Sequence, residues 1–236
     1  MRTILLIRHG ESLSNAGLPT LSAPDVPLTK LGKEQAKRIA EYLKSQFSPD
    51  LIVTSSYQRS KQTAEPTMLF FPFVPQEEWP VQEFTFLSLN LYKSSTADER
   101  RPFVEKYWKN SKPLYVHGPG AESFQQFIKR TRKVINYLRH TKNRTIIIFS
   151  HVQFICAILW LLQREPVKLY QETMQDFRSF LYENSLTNGA IVRVQFEDTH
   201  DRWQYEVITS HLEKLEDPKK LEDPKERELV NSGSST

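Results

Sequence analysis

The sequence predicts an α/β protein, a three-layer α/β/α sandwich with a mainly parallel central sheet and a helical lid insertion. Short, uninterrupted apolar runs rich in β-branched residues occur at residues 3–7, 51–54 and 145–149 and are typical of strands buried on both faces. Each run is followed along the chain by a segment that is predicted to be helical. Strands that alternate with helices are joined by crossovers, and crossovers make neighbouring strands parallel.

The helical segments can be assigned from their starts and their apolar faces. A helix is predicted to begin after Thr29, which serves as its N-cap, and a second to begin at a serine cap within residues 55–60. Two more helices are predicted at residues 121–140, which are strongly amphipathic, and at residues 152–162, which are apolar. The remaining strand candidates are residues 190–196 and 205–208.

Between residues 70 and 119 the periodicity weakens and prolines and aromatic residues are frequent. Only residues 97–110 have a helical pattern there, so we expect a lid insertion at about residues 84–119, its aromatic residues packing mainly in the core. One catalytic domain is predicted for residues 1–212. A charged, partly disordered tail is predicted for residues 213–236, in which the motif KLEDPK occurs twice, too few copies for a repeat fold.

Composition restricts the partners of the chain. The formal charge is only +4, and basic and acidic residues alternate instead of forming one basic face, so a nucleic-acid partner is not expected. No stretch approaches the roughly 20 apolar residues that span a bilayer, and the N-terminal apolar run is too short for a secretory signal. With Cys156 as the only cysteine, a cytoplasmic protein is predicted; its oligomeric state stays open.

Unusual side chains follow three of the predicted strands: Arg8 and His9 after the first, Arg59 after the second and His151 after the strand at residues 145–149. Ligands of such sheets bind beyond the carboxyl ends of the strands, where these residues would converge. Arginine holds phosphate oxygens, and a neutral imidazole can attack phosphorus. We therefore predict a phosphomonoester site with His9 as nucleophile, its other N–H held by a backbone carbonyl, and with a cationic His151 stabilising the transferring phosphoryl group.

The leaving alcohol needs a proton, which a carboxylic acid with a raised pKa supplies best. Glu83 is the candidate, although Glu77 and Glu78 lie close to it in the sequence and leave the choice open. The histidines show no metal-ligand spacing and there is no cysteine cluster, so neither a metal ion nor another cofactor is predicted.

These residues also carry a resemblance. The motif RHGES followed by Asn15 resembles the signature of the histidine phosphatase superfamily, the phosphoglycerate mutase-like group. Further segments of this sequence also resemble segments of that family, in the family's order, between about residues 2 and 196. They are LTKLGKEQA, SSYQRSKQTA, GPGAESFQQFIKR and SHVQFI. The resemblance implies the family fold and a set of roles: nucleophile His9, phosphate-pocket residues Arg8, Arg59 and His151, an additional donor Asn15, and proton donor Glu83.

Two positions depart from the family pattern. Val152 stands where the family usually has glycine after the second histidine, and Ala121 replaces the second glycine of a P-G-G-E-S motif. A β-branched residue tolerates only ordinary backbone angles, so φ at Val152 is predicted to be negative.

The function predicted is a phosphatase that acts on a small phosphorylated metabolite, with water hydrolysing the phosphohistidine. A cofactor-dependent phosphoglycerate mutase is a second hypothesis; the W-R-R motif typical of those enzymes is absent, but Arg100 and Arg101 keep it open. These two arginines most often indicate a solvated helix face, yet in a lid they could grip a second anionic group. A protein Ser/Thr phosphatase and a phospho-binding module of the same fold also stay open, although the module would be expected to have lost His9 or His151.

Overall fold

A six-stranded sheet forms the middle layer of the computed structural model, which describes residues 1–20, 22–197 and 202–213. Its order is β3-β2-β4-β1-β5-β6. The first four strands in this order run parallel, β5 is antiparallel to β1, and β6 is antiparallel to β5. The prediction of a mainly parallel sheet is confirmed. The strands are β1 (Arg2–Arg8), β2 (Leu51–Thr54), β3 (Gln76–Glu78), β4 (Thr145–Ser150), β5 (Ile191–Glu197) and β6 (Arg202–Ile208).

Helices cover both faces of this sheet. They are α1 (Lys30–Gln46), α2 (Gln58–Phe70), α3 (Ala97–Asn110), α4 (Phe124–His140), α5 (Val152–Arg164) and α6 (Gln171–Glu183). Alternate residues of β1 point to opposite layers: Leu5 and Ile7 pack in the cluster that includes residues of α1 and α2, while Ile4 and Leu6 pack with α4, α5 and α6. Burial of each such side chain contributes about 1.5–3 kcal/mol. The three-layer prediction is confirmed.

The helix starts agree with the sequence in part. Thr29 caps α1, accepting a hydrogen bond from the Gly32 amide at 3.0 Å, and Ser123 caps α4, two residues after the predicted start at residue 121. The serine cap predicted for α2 is wrong, because Tyr57 occupies the N-cap position and its side chain makes no cap hydrogen bond. The hydroxyl of the nearby Ser55 makes a hydrogen bond with the ring of His151.

The segment predicted to be a lid, residues 84–119, contains a 3-10 helix (Leu89–Tyr92) and α3. Four of its aromatic side chains are buried, as predicted, namely Phe84, Phe86, Tyr107 and Trp108, and the Phe84 ring stacks on Phe127 of α4 at 4.4 Å. Phe103 differs, being 43% exposed. These contacts fix the base of the lid to the core.

The predicted tail, residues 213–236, lies outside the described residues from residue 214 onward. Among the helices that are described, none is long and apolar enough to cross a bilayer.

Candidate active site

A cavity of about 320 Å³ opens at the carboxyl end of β1. Its walls include Arg8, His9, Asn15, Arg59 and Glu83. The sixth predicted site residue lies beside it, since the ring of His151 is 5.1 Å from that of His9, centroid to centroid. The structure therefore brings together every side chain that the sequence predicts for the site.

Sheet register explains why the two histidines meet. Arg8 of β1 pairs with Ser150 of β4, so the residue after each strand is a histidine at the same level, and the His9 amide donates to the Ser150 carbonyl at 3.1 Å. Gly10 then turns the chain against the start of α1. A Cβ atom at Gly10 would lie 2.5 Å from the Gly32 carbonyl oxygen, so only glycine fits.

Both ring nitrogens of His9 make hydrogen bonds. Its Nδ1–H donates to the Gly10 carbonyl at 2.7 Å, as expected, which leaves Nε2 with a lone pair. That lone pair accepts from the Nε–H of Arg59 at 3.0 Å. Burial, followed by the positive charges of Arg59 and Arg8, lowers the pKa of His9 well below its ordinary value. The imidazole is therefore neutral near pH 7.

His151 is fully buried at the N-cap position of α5. Its Nε2 lies 2.7 Å from the Ser55 hydroxyl oxygen, whereas its Nδ1 has no hydrogen-bond partner among the described residues. Burial first, and then the charges of Arg59 and His9, lower the pKa of His151 well below its ordinary value. The cationic His151 predicted from the sequence thus requires a nearby dianion to raise that pKa again.

The two arginines are anchored through part of their guanidinium groups. Arg8 donates through Nη1 to the Leu186 carbonyl, and Arg59 donates through Nη1 to the Ala23 carbonyl at 2.8 Å. Burial lowers the pKa of both arginines. Because the ordinary pKa of arginine is very high, both side chains stay charged. Because a guanidinium has five N–H donors, each arginine has donors left for phosphate oxygens.

Asn15 is oriented by a residue that sequence reasoning missed. The Asn15 side-chain oxygen accepts from the Ser12 hydroxyl at 2.8 Å and from the Asn188 amide at 3.1 Å, so its NH₂ group is the end left to donate. Asn188 also donates to the His9 carbonyl at 3.1 Å. It lies 179 residues from His9 in the sequence, and no local pattern marks it.

Glu83 lines the cavity, and backbone amides hold its carboxyl group. Its Oε1 accepts from the backbone N–H groups of Phe84 at 3.2 Å and Gln153 at 3.0 Å. Burial raises the pKa of Glu83, and the charges of the two cavity arginines oppose that rise. The two nearby glutamates lie elsewhere: Glu77 and Glu78 are exposed on β3, where Glu77 accepts from an indole N–H and Glu78 pairs with a lysine.

The departure at Val152 is accommodated as predicted. In the described chain the positive-φ residues other than glycine are Ser94 and Ser111, and Val152 is the first residue of α5. Within the same described residues, no group of three or more histidine, cysteine, aspartate or glutamate side chains is arranged to hold a metal ion.

Known proteins resemble this chain along most of its length. A sequence profile of the histidine phosphatase superfamily (branch 1) matches residues 4–208. The chain is 36% identical, over 215 residues, to the uncharacterized phosphatase PhoE of Bacillus subtilis (strain 168), an alignment that covers 90% of this chain and 97% of the relative. It is 29% identical over 171 residues to the 6-phosphofructo-2-kinase/fructose-2,6-bisphosphatase of Aquarana catesbeiana, covering 71% of this chain and 34% of that enzyme.

Solved structures share the fold. The α-ribazole phosphatase of Shigella flexneri superposes with a TM-score of 0.67 at 21% identity, covering 89% of this chain and 96% of that one. A phosphoserine phosphatase of Entamoeba histolytica in complex with phosphoserine superposes with a TM-score of 0.66 at 21% identity, covering 90% and 100%. At these identities the likeness concerns the fold alone.

Proposed function

The chain belongs to the histidine phosphatase superfamily (branch 1), and from this premise we propose that it hydrolyses small phosphomonoesters through a phosphohistidine formed on His9. The family resemblance stated from the motifs is confirmed, and so is the enzyme class, a phosphoric monoester hydrolase. The observation that carries the proposal is the buried His9 imidazole, whose Nδ1–H is hydrogen-bonded to the Gly10 carbonyl and whose Nε2 accepts from Arg59.

Substrate binding follows from the donors around His9. The phosphate dianion takes the free donors of Arg8 and Arg59, the Asn15 NH₂ group and the Nδ1 of His151, which has no hydrogen-bond partner among the described residues. The Nε–H of Arg59 then donates to a phosphate oxygen and no longer to Nε2 of His9, so the lone pair of that nitrogen becomes available. The dianion raises the pKa of His151, which becomes the cation that stabilises charge on the equatorial oxygens.

In the first chemical step, His9 Nε2 forms a bond to phosphorus as the bond from phosphorus to the ester oxygen breaks. The electron pair of the broken bond goes to the alcohol oxygen, which receives the proton of Glu83. The products are a phosphohistidine, a free alcohol and a Glu83 carboxylate. Arg59 and Arg8 stabilise that carboxylate electrostatically.

In the second step, water attacks phosphorus from the side that the alcohol has left. Glu83 takes a proton from the water, the bond between phosphorus and Nε2 breaks, and its electron pair returns to the imidazole. Inorganic phosphate leaves, and both His9 and Glu83 regain their starting protonation. The positive charge in this cycle comes from arginine and histidine side chains.

Cavity size supports a small substrate. A volume of about 320 Å³ is at the lower end of ligand pockets and is bounded by the lid. The proteins of this fold compared above include an α-ribazole phosphatase and a phosphoserine phosphatase, both named for small compounds. No observation favours a protein phosphatase, a mutase or a binding module, and the last would be expected to have lost His9 or His151. The cytoplasmic location and the absence of a nucleic-acid partner stay predictions.

The proposal is tested by steady-state hydrolysis of para-nitrophenyl phosphate and a panel of alkyl phosphates, sugar phosphates and phosphopeptides in excess EDTA. Wild type is expected to hydrolyse small phosphomonoesters, unaffected by the chelator, and His9→Ala to have no activity above background. Equal rates for the two proteins would contradict the assignment of His9. A preference for phosphopeptides over all small esters would contradict the substrate class.

A further inference from the structure

We infer that a groove on the surface of α4 is a second ligand site, which binds a small anion carrying a chain of two or more linked phosphates. This α4 groove lies between α4 and residues 167–170, which lead into α6, and has a volume of about 830 Å³. That volume is within the range of small-molecule sites. The groove shares no lining residue with the cavity that contains His9, so the inference does not depend on the proposed function.

Among the described residues, every charged side chain that lines the α4 groove is basic. Lys129, Arg132 and Lys133 belong to α4, and Lys168 lies on the opposite wall. The sequence of α4 contains no aspartate or glutamate, unlike most segments of the chain, in which acidic and basic residues alternate. A chain with a formal charge of only +4 therefore concentrates four basic side chains in one groove.

Arg132 joins the two walls of the groove. Its Nε donates to the carboxylate of Glu165 at 2.6 Å, and its Nη2 donates to the Val167 carbonyl at 2.6 Å. The Val167 amide in turn donates to Glu165 at 2.8 Å. Glu165 offsets the charge of Arg132, and these bonds fix the second wall against α4, so the groove is formed before a ligand binds.

The three lysines of the groove are exposed and have no ion-pair partner within the described part of the chain. Lys129 and Lys133 are four residues apart, so their side chains are neighbours on one face of α4. Like charges at this spacing destabilise a helix, and an anion bound between them removes that repulsion. Each ammonium group has three donors and no acceptor, which suits phosphate oxygens.

The shape of the groove favours a small ligand with several phosphates. A single phosphate reaches few of the four cations, whereas linked phosphates contact several at once. A nucleic acid or a large acidic protein would need basic residues along a wider surface than one groove. Tyr170 lines the same groove and is 58% exposed, so a nucleobase attached to the phosphates could stack on its ring.

The test measures binding by isothermal titration calorimetry at about 0.15 M ionic strength. The probes are tripolyphosphate and the β,γ-methylene analogue of ATP, which have linked phosphates in common but differ in the nucleoside. Phosphate buffer occupies the catalytic cavity and competes for any site that one phosphate can fill. Wild type is expected to bind one molecule of each probe. Equal affinities would identify the phosphate chain as the recognised group; tighter binding of the nucleotide, lost in Tyr170→Ala, would identify a nucleotide site.

The double variant Lys129→Gln, Lys133→Gln is expected to weaken binding of both probes roughly 10- to 100-fold, because two charged hydrogen-bond donors are lost. The control is Lys33→Gln, Lys37→Gln, which removes two exposed lysines of the same spacing from α1, on the other face of the sheet. It changes the net charge by the same amount and is expected to leave both affinities unchanged. Neither pair is buried, so both variants should fold.

Three results would overturn the site: no binding of either probe to wild type, an equal loss in the two double variants, or full affinity after the change in α4. An oligoglutamate that binds as tightly as tripolyphosphate would overturn the choice of ligand and favour an acidic protein partner. The readout is binding and not hydrolysis, so failure of the proposed phosphatase function would leave these outcomes unaffected.

Discussion

His9 and Glu83 have pKa shifts of opposite sign, and both signs favour the proposed reaction. The reaction needs a neutral imidazole together with a protonated carboxyl group. With an ordinary histidine pKa of 6.5 and an ordinary glutamate pKa of 4.5, that combination is a minor species at every pH. Burial lowers the first value and raises the second. The cavity thereby increases the population of the reactive protonation state.

These shifts predict a bell-shaped dependence of kcat/KM on pH. Activity rises with pH as His9 loses its proton, and falls at higher pH as Glu83 loses the proton that it must donate. The Glu83→Gln variant has no titrating group at residue 83. Its kcat/KM is therefore expected to lack the part of the fall at high pH that is caused by ionisation of Glu83. A pH profile of kcat/KM for wild type and Glu83→Gln checks this; identical alkaline limbs would show that another group is the acid.

Replacement of the proton donor also changes the dependence on the leaving group. Glu83→Gln is expected to slow hydrolysis of alkyl phosphates about 10²- to 10⁴-fold, because an alkoxide leaves poorly without a proton. Formation of the phosphoenzyme from para-nitrophenyl phosphate should be slowed far less, since nitrophenolate needs no proton. Single-turnover kinetics measure both, with exposed Glu77→Gln as the control. Equal slowing of the two substrates would argue against Glu83 as the acid.

At the scale of elements, one salt bridge holds the segment that carries Glu83. Arg130 of α4 binds both oxygens of Glu122, at 2.9 Å through Nε and 2.7 Å through Nη2. The same guanidinium donates to the Pro80 carbonyl at 2.9 Å and to the Glu83 carbonyl at 3.3 Å. The backbone at Pro80 and at Glu83, the proposed proton donor, is therefore tied to a helix of the core.

Removal of this arginine should cost both stability and activity. The side chains of Arg130 and Glu122 are only 12% and 19% exposed, so Arg130→Ala is expected to lower the free energy of unfolding by about 3 kcal/mol. The double variant with Glu122→Ala should lose less than the sum of the single variants. Urea denaturation measures these energies, with the half-exposed Arg132 as the control, whose replacement by alanine should cost about 1 kcal/mol or less. Additive losses would contradict the coupling.

The elements differ in how far the sequence reveals them. β1 and β4 are visible as apolar runs because both faces are buried, and α1 and α4 are visible through their caps and apolar faces. β3 has three exposed polar residues, so only backbone pairing with β2 defines it and no periodicity marks it. For α6 a signal exists, since Met174, Phe177 and Phe180 are buried at helical spacing, but no helix is among the sequence predictions for that segment.

At the scale of the whole molecule, the site residues differ in how far the sequence predicts them. Those next to a recognisable strand could be predicted, and those placed only by long-range contacts could not. His9, Arg59 and His151 follow recognisable strands, and parallel pairing brings strand ends together, so their convergence could be predicted. Ser55 and Asn188 contribute through long-range hydrogen bonds, which only the folded chain defines. Arg100 lines the cavity, whereas Arg101 is exposed and pairs with Asp98. This difference depends on the orientation of α3, so two adjacent arginines in the sequence could not predict it.

Burial of two neutral histidines makes global stability depend on pH. The folded-state pKa values of His9 and His151 lie below the unfolded value, so their contribution is present above about pH 6.5 and is lost as pH falls through the folded values. Within that window, each histidine should lower the free energy of unfolding by about 1.4 kcal/mol for each unit by which the pH falls. Urea midpoints between neutral and mildly acidic pH should therefore fall less for the double variant His9→Gln, His151→Gln. The same fall in both proteins would contradict neutral burial.

The phosphoryl group on His9 is the central claim, and the most direct measurement traps it. Glu83→Gln mixed with para-nitrophenyl phosphate is expected to accumulate the intermediate, because formation needs no proton from residue 83 whereas hydrolysis needs its base. After a quench in alkaline denaturant, which preserves the bond between phosphorus and nitrogen, mass spectrometry of the intact chain and its peptides should find one phosphoryl group, on His9. Release of nitrophenol with no phosphoryl group on the chain, or with one on another residue, would contradict the account.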